Sequence, residues 1–419
     1  MAAAAYCGID FGTSNTTVGL SDHASAQLIP LEGEHRTLPS AMFFDFEDHG
    51  VQFGRGAIER YLTGHDGRFM RALKSILGTA LIHEKTYIRQ KAVPFAGILG
   101  FFFAHLKTQI ETRLGQEIDQ VVLGRPVRFV DKDDAADAEA QAALEQIARE
   151  QGFRHIAFQY EPIAAALDYE QQVTREELVL IVDIGGGTSD FSIVRVSPER
   201  RSEADREGDI LANGGIHIGG TDFDRLLSLK SVMPHLGYGS LTADGKRNLP
   251  TLYYHELATW HRINQLYKKG VINELRQIRY EADQRDLVDR FIKVVEDHRG
   301  HTLAIGVEQA KIALTAAKST TAVLSEKDDW ARIKFTRKDF DRAIADSVER
   351  VVRTVTTLLD DADVEAAAIN TIFLTGGSSM VPTLREAILA LFPHARVAET
   401  DLLGSVGLGL ALDARRKFG

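Results

Sequence analysis

The sequence predicts an α/β fold made of two similar lobes that face each other. Three observations carry that expectation. Ile9-Asp10-Phe11-Gly12-Thr13 and Val182-Asp183-Ile184-Gly185-Gly186 place an apolar residue, Asp, an apolar residue and Gly at the same offsets. Each leads through hydroxyl-bearing residues into a second β-rich run, as a hairpin does. The two stand at the heads of halves of comparable size, which marks an internal duplication.

Residues 6–11 and 16–20 are the first hairpin, turning at Gly12-Thr13-Ser14-Asn15. Residues 36–60 mix short strands with turns. Residues 93–114 have helical spacing behind Pro94. Gln120–Leu123 is a strand that breaks at Gly124-Arg125-Pro126. Asp131–Gln151 is Ala-rich and helical, with acidic residues at its start where the helix dipole favours them, and Gly152 stops it. Glu161–Glu170 is a short helix carrying Pro162. Leu178–Asp183 is a buried strand, followed by Gly185-Gly186-Gly187-Thr188 and a strand at Phe191–Val196. Residues 197–213 are charged and expected at the surface. Gly214–Phe223 is glycine-rich and leads into a helix. Leu226 to Arg299 is largely helical and charged, with Tyr253, Tyr254 and Trp260 as expected core anchors. Val307–Lys318 and Lys338–Leu359 are helices. Asn370–Thr375 is a strand that meets Gly376-Gly377-Ser378-Ser379, and Pro382 opens the next helix.

Composition narrows the function. With 419 residues, 44% hydrophobic and 26% charged, the chain is an average globular one, which excludes disordered and fibrous classes. A net charge of −10 gives a non-specific nucleic-acid binder no basic footprint. Cys7 is the single cysteine, so the chain has no internal disulfide and no Cys-based zinc site, as suits a reducing compartment. The start, Met1 to Tyr6, has no basic region of the secretory kind. The apolar stretch Phe95–Leu106 is too short to span a bilayer and contains His105. The expectation is a soluble cytoplasmic protein with neither nucleic acid nor membrane as partner.

Three turns, 12–15, 185–188 and 376–379, combine Gly with Ser or Thr at a strand end. Glycines let a backbone approach a ligand and aim successive N–H groups one way. Hydroxyls add donors. This is how an acidic protein can hold a polyphosphate without many cations. Asp10 and Asp183 sit at the strand-to-turn junctions, where facing carboxylates would repel phosphate unless a divalent ion lay between them; Mg²⁺ is the natural one. Taken singly, each turn could be an ordinary turn and each Asp a turn former. Their conjunction with the repeat points to nucleotide binding. The chain has no G-x-x-x-x-G-K-[ST], no complete G-x-G-x-x-G and no H-E-x-x-H, and His235, His255 and His261 read as ordinary histidines.

In this order the motifs resemble the actin-type ATPase superfamily and, within it, the nucleotide-binding domain of the 70-kDa heat-shock proteins (DnaK-type chaperones). Gly8 to Asn15 is similar to the first phosphate motif, and Val182 to Asp190 to the second. Arg36-Thr37-Leu38-Pro39-Ser40 resembles R-T-x-P-S. Lys74, four residues before Gly78, matches the family's catalytic lysine. Glu161-Pro162 with Ala164-Ala165-Ala166 matches the first connecting helix, and Asp401 to Gly407 the second connecting segment. Gly219-Gly220-Thr221-Asp222-Phe223-Asp224 is like G-G-E-D-F-D. Glu308-Gln309-Ala310-Lys311 with Thr315 matches the adenosine helix, and Gly376 to Pro382 the adenosine motif.

The resemblance implies two pseudo-symmetric ribonuclease-H-like lobes around a nucleotide cleft. Lobe I would take residues 1–175, with a smaller subdomain at about 40–92. Lobe II would take 176–395, with an enlarged helical subdomain at about 219–334, and 396–419 would return to lobe I. ATP or ADP with Mg²⁺ would be the ligand, K⁺ a candidate companion. Asp10, Asp183 and Glu161 would anchor the metal, Asp190 orient the attacking water, and Lys74 stabilise charge on the γ-phosphate. Gly12, Thr13, Ser14, Asn15, Gly185, Gly186, Gly187 and Thr188 would line the phosphates. Gly219, Gly220, Glu308, Lys311, Thr315, Gly376, Gly377, Ser378, Met380 and Asp401 would line the rest of the nucleotide. From residue types alone, Lys74 reads as an exposed lysine and Glu308–Lys311 as a solvated i,i+3 pair.

The sequence departs from the family at Met380, where an arginine usually packs on adenine, and at Thr221, where an acidic residue is usual. The stretch 226–299 is longer than its counterpart. The chain stops at Gly419, just after the second connecting segment, and so most resembles the short YegD-type chaperones without a peptide-binding domain. The expected function is a slow ATPase acting as a chaperone-like switch through an unidentified protein partner. The alternatives are a small-molecule kinase of the same superfamily, an actin-like filament former, or a nucleotide-sensing scaffold without turnover.

Overall fold

The computed structural model describes residues 5–22, 25–130, 133–170, 173–201, 203, 205–325, 329–398 and 404–419. The first half runs β1 (Tyr6–Phe11), β2 (Asn15–Ser21), β3 (Ala26–Leu28), β4 (Thr37–Pro39), β5 (Ala41–Asp45), β6 (Val51–Phe53), α1 (Gly54–Leu62), β7 (Gly67–Arg71), β8 (Lys85–Ile88), β9 (Lys91–Pro94), α2 (Phe95–Leu114), β10 (Gln120–Arg125), α3 (Asp134–Glu150), β11 (His155–Tyr160) and α4 (Glu161–Glu170). The second runs β12 (Glu177–Ile184), β13 (Ser189–Val196), β14 (Ile210–Ile216), α5 (Gly220–Ser231), α6 (Leu252–Ala258), α7 (Val271–Glu281), α8 (Arg285–Glu296), α9 (Gly300–Ala316), β15 (Ser319–Val323), β16 (Arg332–Thr336), α10 (Arg337–Asp361), β17 (Ile369–Thr375), α11 (Pro382–Leu389), β18 (Arg396–Val397) and α12 (Ser405–Phe418).

The duplication read from two short motifs extends to whole sheets. One sheet has the order β11-β10-β1-β2-β3, with β4 also on β2, and the other the order β14-β13-β12-β17-β18. In each, the leading hairpin is antiparallel and its first strand pairs parallel with a later strand. Asp10 and Asp183 are both next to last in their strands, opposite Thr17 and Asp190. A separate sheet, β6-β5-β7, and the hairpin β8–β9 form a small unit over the first lobe.

Among the described residues three large apolar cores result, beside a small one of Ala41, Phe43 and Ala57. One joins the first sheet to α2, α3 and the small unit through Ile9, Phe44, Leu73 and Phe102. A second joins the other sheet to α5–α10. The third lies between the lobes: Ile163 and Leu167 of α4 and Leu410 and Ala414 of α12 pack against Tyr6 and Val122 on one side and Val179, Ile181 and Phe373 on the other. Glycine permits this close packing. A Cβ on Gly409 would run into the Ala164 backbone, and one on Gly8 into the backbone of Leu410 and Ala411. The two helices thus cross at backbone contact.

Several elements differ from expectation. The helix expected from Asp131 begins at Asp134, where Asp133 caps it by accepting from the Ala136 N–H at 3.0 Å. The helix expected from Val307 begins at Gly300, because a short apolar run has no start signal of its own. Tyr254 is a core anchor, stacked on Phe291 at 4.8 Å, whereas Tyr253 is half-buried and Trp260 points out of the core of the 226–299 stretch, the insert, toward β7. Residues 197–213 are not simply surface. Arg206 is buried and forms a two-pronged pair with Glu170 at 2.7 and 2.8 Å, and it also meets Asp209. Charge content suggests exposure; a closed ion network instead pins this loop to the end of α4. Among the described residues, no helix is long and apolar enough to cross a membrane.

Removing one partner of such a pair leaves an uncompensated buried charge. Glu170→Ala is expected to cost about 3–5 kcal/mol of stability in a denaturant titration. Replacing Glu170 and Arg206 together by Met is expected to cost less. A single-variant loss below about 1 kcal/mol, the range of an exposed pair, would contradict the burial argument.

Candidate functional site

The glycine turns form one continuous floor at the facing ends of the two sheets. Gly186 approaches Ser14 so closely that a Cβ would clash with its Oγ. The Ser378 hydroxyl donates to the Gly185 carbonyl at 3.1 Å, and the Gly220 N–H to the same carbonyl at 2.9 Å. Thr221 donates twice to the Gly186 carbonyl, from N–H and hydroxyl, each at 2.7 Å. A Cβ on Gly219 would lie 2.6 Å from the Gly186 carbonyl. Gly376 has φ 75°, a conformation that suits glycine, and packs against Ile184 and Asp183. Ser40 holds the first turn by donating to the Gly12 carbonyl from Oγ at 2.7 Å and to the Ser14 carbonyl from N–H at 2.9 Å. Thr13 and Asn15 flank that turn. Among the described residues, no atom other than those of the chain neighbours lies within 4 Å of a Cβ placed on Gly187 or Gly377, so the floor is open there.

Charge gathers at the floor's centre. Glu161 is the first residue of α4, and its carboxylate accepts from Lys74 Nζ at 2.6 Å. Lys74 lies in a 3₁₀ turn, Leu73–Ile76, preceded by Ala72 at φ 58°. That left-handed conformation costs a residue with a Cβ about 1–2 kcal/mol, strain held beside the lysine. Asp10 is pushed up to about 7 by burial and by Glu161, against the pull of Lys74. Asp183 is pushed up to about 8 by burial, then by Asp190, Glu161 and Asp10. Burial works against the charge on Lys74, yet Glu161, Asp10 and Asp183 raise its pKa. The Thr188 hydroxyl donates to Asp190 at 2.8 Å. A cavity runs from Glu161, Asp183 and Asp190 between the lobes to Pro126, Asn213 and Val406. No three His, Cys, Asp or Glu side chains among the described residues converge as a ready-made metal shell. The carboxylates, which come from opposite lobes, would suit a cation that keeps its own waters.

The α9 side of the cleft departs from the solvated pair that i,i+3 spacing suggests. Lys311 is buried; its Nζ donates to the Gly220 carbonyl at 3.1 Å and pairs with Asp224 at 2.9 Å. Glu308 pairs with Arg71 of β7 at 3.1 Å, across the cleft. Thr315 donates to the Ile312 carbonyl of its own helix at 2.7 Å. Ile312 follows Glu308 by one turn and is 58% exposed, and Met380 is 41% exposed. Asp401 lies outside the described residues. Arg71 and Asp224 are site residues that sequence reasoning missed. Asp224 closes the quoted Asp222-Phe223-Asp224 motif, and that motif was the available signal. Arg71 carries no local signal.

A model of the family described as Hsp70 protein matches residues 6–232 and 292–415. Among curated relatives, the chaperone protein HscA homolog of Haemophilus influenzae (strain PittGG) is 26% identical over 431 residues, 97% of this chain and 57% of that protein. The chaperone protein DnaK of Thermosipho melanesiensis is 26% identical over 426 residues, 97% of this chain and 58% of that protein. The chain thus spans a little over half the length of these relatives.

Burial of Asp183, with like charges around it, makes a pH prediction. Its folded pKa is raised, so the folded chain holds this proton to higher pH than the unfolded chain. That stabilisation is full below pH about 4 and lost as pH rises through about 8. Asp183→Asn, which never charges, is expected to melt above wild type at pH about 8–9, with the gap closing toward pH about 5. Differential scanning calorimetry without ligand tests this. A variant that melts lower than wild type at the alkaline end would contradict the cost of a charged, buried Asp183.

Proposed function

The chain belongs to the Hsp70 family, and on that premise we propose that it is a Mg²⁺-dependent ATP-binding protein that hydrolyses ATP slowly and works as a chaperone-type nucleotide switch. The observation that carries this reading is the meeting of three Gly/hydroxyl turns beside Asp183, with Asp10, Glu161 and Lys74 in electrostatic reach of it. N–H and hydroxyl groups of Thr13, Ser14, Gly186, Gly187 and Thr188 hold the phosphates. Asp10, Asp183 and Glu161 would hold hydrated Mg²⁺, with K⁺ as a companion. Bound there, Mg²⁺ would neutralise phosphate charge. Lys74 leaves Glu161 to meet charge developing on the γ-phosphate, and Asp190, steadied by Thr188, orients the attacking water. Glu308 and Lys311 hold the ribose. Thr315, Gly377 and Ser378 border the base, and Met380 and Ile312 offer it apolar contact in place of a cation–π interaction.

The cavity behind Asp183 and Asp190 supports one alternative. There a small hydroxyl compound could accept the phosphoryl group with Asp190 as base, as in a small-molecule kinase.

The test is ATP turnover with Mg²⁺ alongside direct ATP binding, for wild type, Asp10→Asn and Lys74→Ala. Lys74→Ala is expected to bind ATP but lose about 100-fold or more in turnover, and Asp10→Asn to lose turnover as well. Binding without turnover in wild type favours the kinase or a nucleotide sensor. No binding contradicts the reading.

A further inference from the structure

The match to the family breaks off at residue 232 and resumes at residue 292. Trp260 lies inside that break, at the head of a 3₁₀ turn, Trp260–Gln265. Its ring is half-buried and serves a contact across the cleft. The Arg71 guanidinium sits over it, 4.8 Å from the ring centroid. Phe69 meets it edge-on at 6.1 Å and His301 at 4.8 Å. Phe69 stacks on Tyr61 at 4.7 Å, and the Tyr61 hydroxyl reaches His301 Nδ1. Burial pushes His301 down to about 4, so the ring is neutral near pH 7 and that nitrogen can accept. Tyr61, Phe69 and Arg71 belong to α1 and β7, whereas Trp260, His301 and Glu308 belong to the opposite wall. The closed ring of contacts is aromatic inside, with the Arg71–Glu308 pair as its polar edge.

We propose that the insert is a clasp: Trp260 holds Arg71 against Glu308 and, as a positioning residue, sets how long a nucleotide stays in the cleft. The ligand in this statement rests on the nucleotide reading above; the closure itself rests on the contacts alone. The cleft cannot open at this end without parting Trp260 from Arg71 and Phe69. Glu308 without Arg71 loses its fixed orientation toward the ribose.

Two measurements on the full chain test the clasp. The first is release of radiolabelled ADP and 2′-deoxy-ADP from wild type, Trp260→Ala, Trp260→Phe and Arg71→Ala. Trp260→Ala is expected to release ADP about 10-fold faster. Trp260→Phe, which keeps a ring under Arg71, stays near wild type. The double variant with Arg71→Ala is no faster than either single variant, and the preference for ADP over 2′-deoxy-ADP shrinks in Trp260→Ala. Mere loss of packing would leave that preference unchanged. The second measurement is the distance between spin labels at Glu59→Cys and Gln277→Cys, both exposed positions, with the native Cys7 buried. Without ligand, Trp260→Ala is expected to add longer distances. An unchanged distance distribution overturns the clasp. Unchanged ADP release in a chain that binds ADP overturns its control of the nucleotide. Should wild type bind no ADP, the nucleotide reading fails, and the distance alone decides: longer distances support the clasp and unchanged ones overturn it.

Discussion

Asp10, Glu161, Asp183 and Asp190 bring carboxylates from both lobes within electrostatic reach of one another, and Lys74 pairs with Glu161 beside them. Burial takes Asp10 and Asp183 out of water and, with repulsion from the neighbouring carboxylates added to it, raises their pKa values. The arrangement is tolerable because rigid elements enforce it. Each aspartate is fixed by strand register, Glu161 by the start of α4, and Lys74 by a turn that accepts a strained Ala72. Stability is given up locally, and on the proposed reading it is given up for a place that can hold a hydrated cation and a polyphosphate together.

Duplication is how the chain builds this point from two sides. The matching sheets put the same hairpin turn at the same level of each lobe, so the glycine loops face each other and Gly186 meets Ser14. The apolar core made by α4 and α12 ties the lobes together away from the cleft mouth. Small residues at that crossing let the backbones touch, leaving the opposite end of the cleft to be closed by side chains. There Arg71 and Glu308 meet.

Features encoded within a few residues were legible in the sequence. The hairpins, the Asp-x-Gly junctions, the glycine turns and the Glu161 helix are short patterns whose residue types state their geometry. The resemblance supplied Lys74, Glu308 and Lys311, which residue type alone would have left on the surface. Long-range pairing was not legible. Glu308 and Lys311 are three apart and read as partners, yet Glu308 binds Arg71, 237 residues away, and Lys311 binds Asp224, 87 away. Helical spacing limits which residues can meet, but tertiary packing decides which do. The Glu170–Arg206 pair misled for the same reason: a charged loop reads as exposed until its partner is known.

On the proposed reading, the carboxylates of Asp10, Glu161 and Asp183 take a cation together with a nucleotide. Calorimetric titration of ATP into the chain, with Mg²⁺ and then with a chelator in its place, tests it most directly, with an Asp10→Asn/Asp183→Asn double variant as control. The account predicts that wild type loses at least about 10-fold in affinity without Mg²⁺, about 1.4 kcal/mol, and that the double variant shows no such difference. Equal ATP affinity in wild type with and without Mg²⁺ would contradict it.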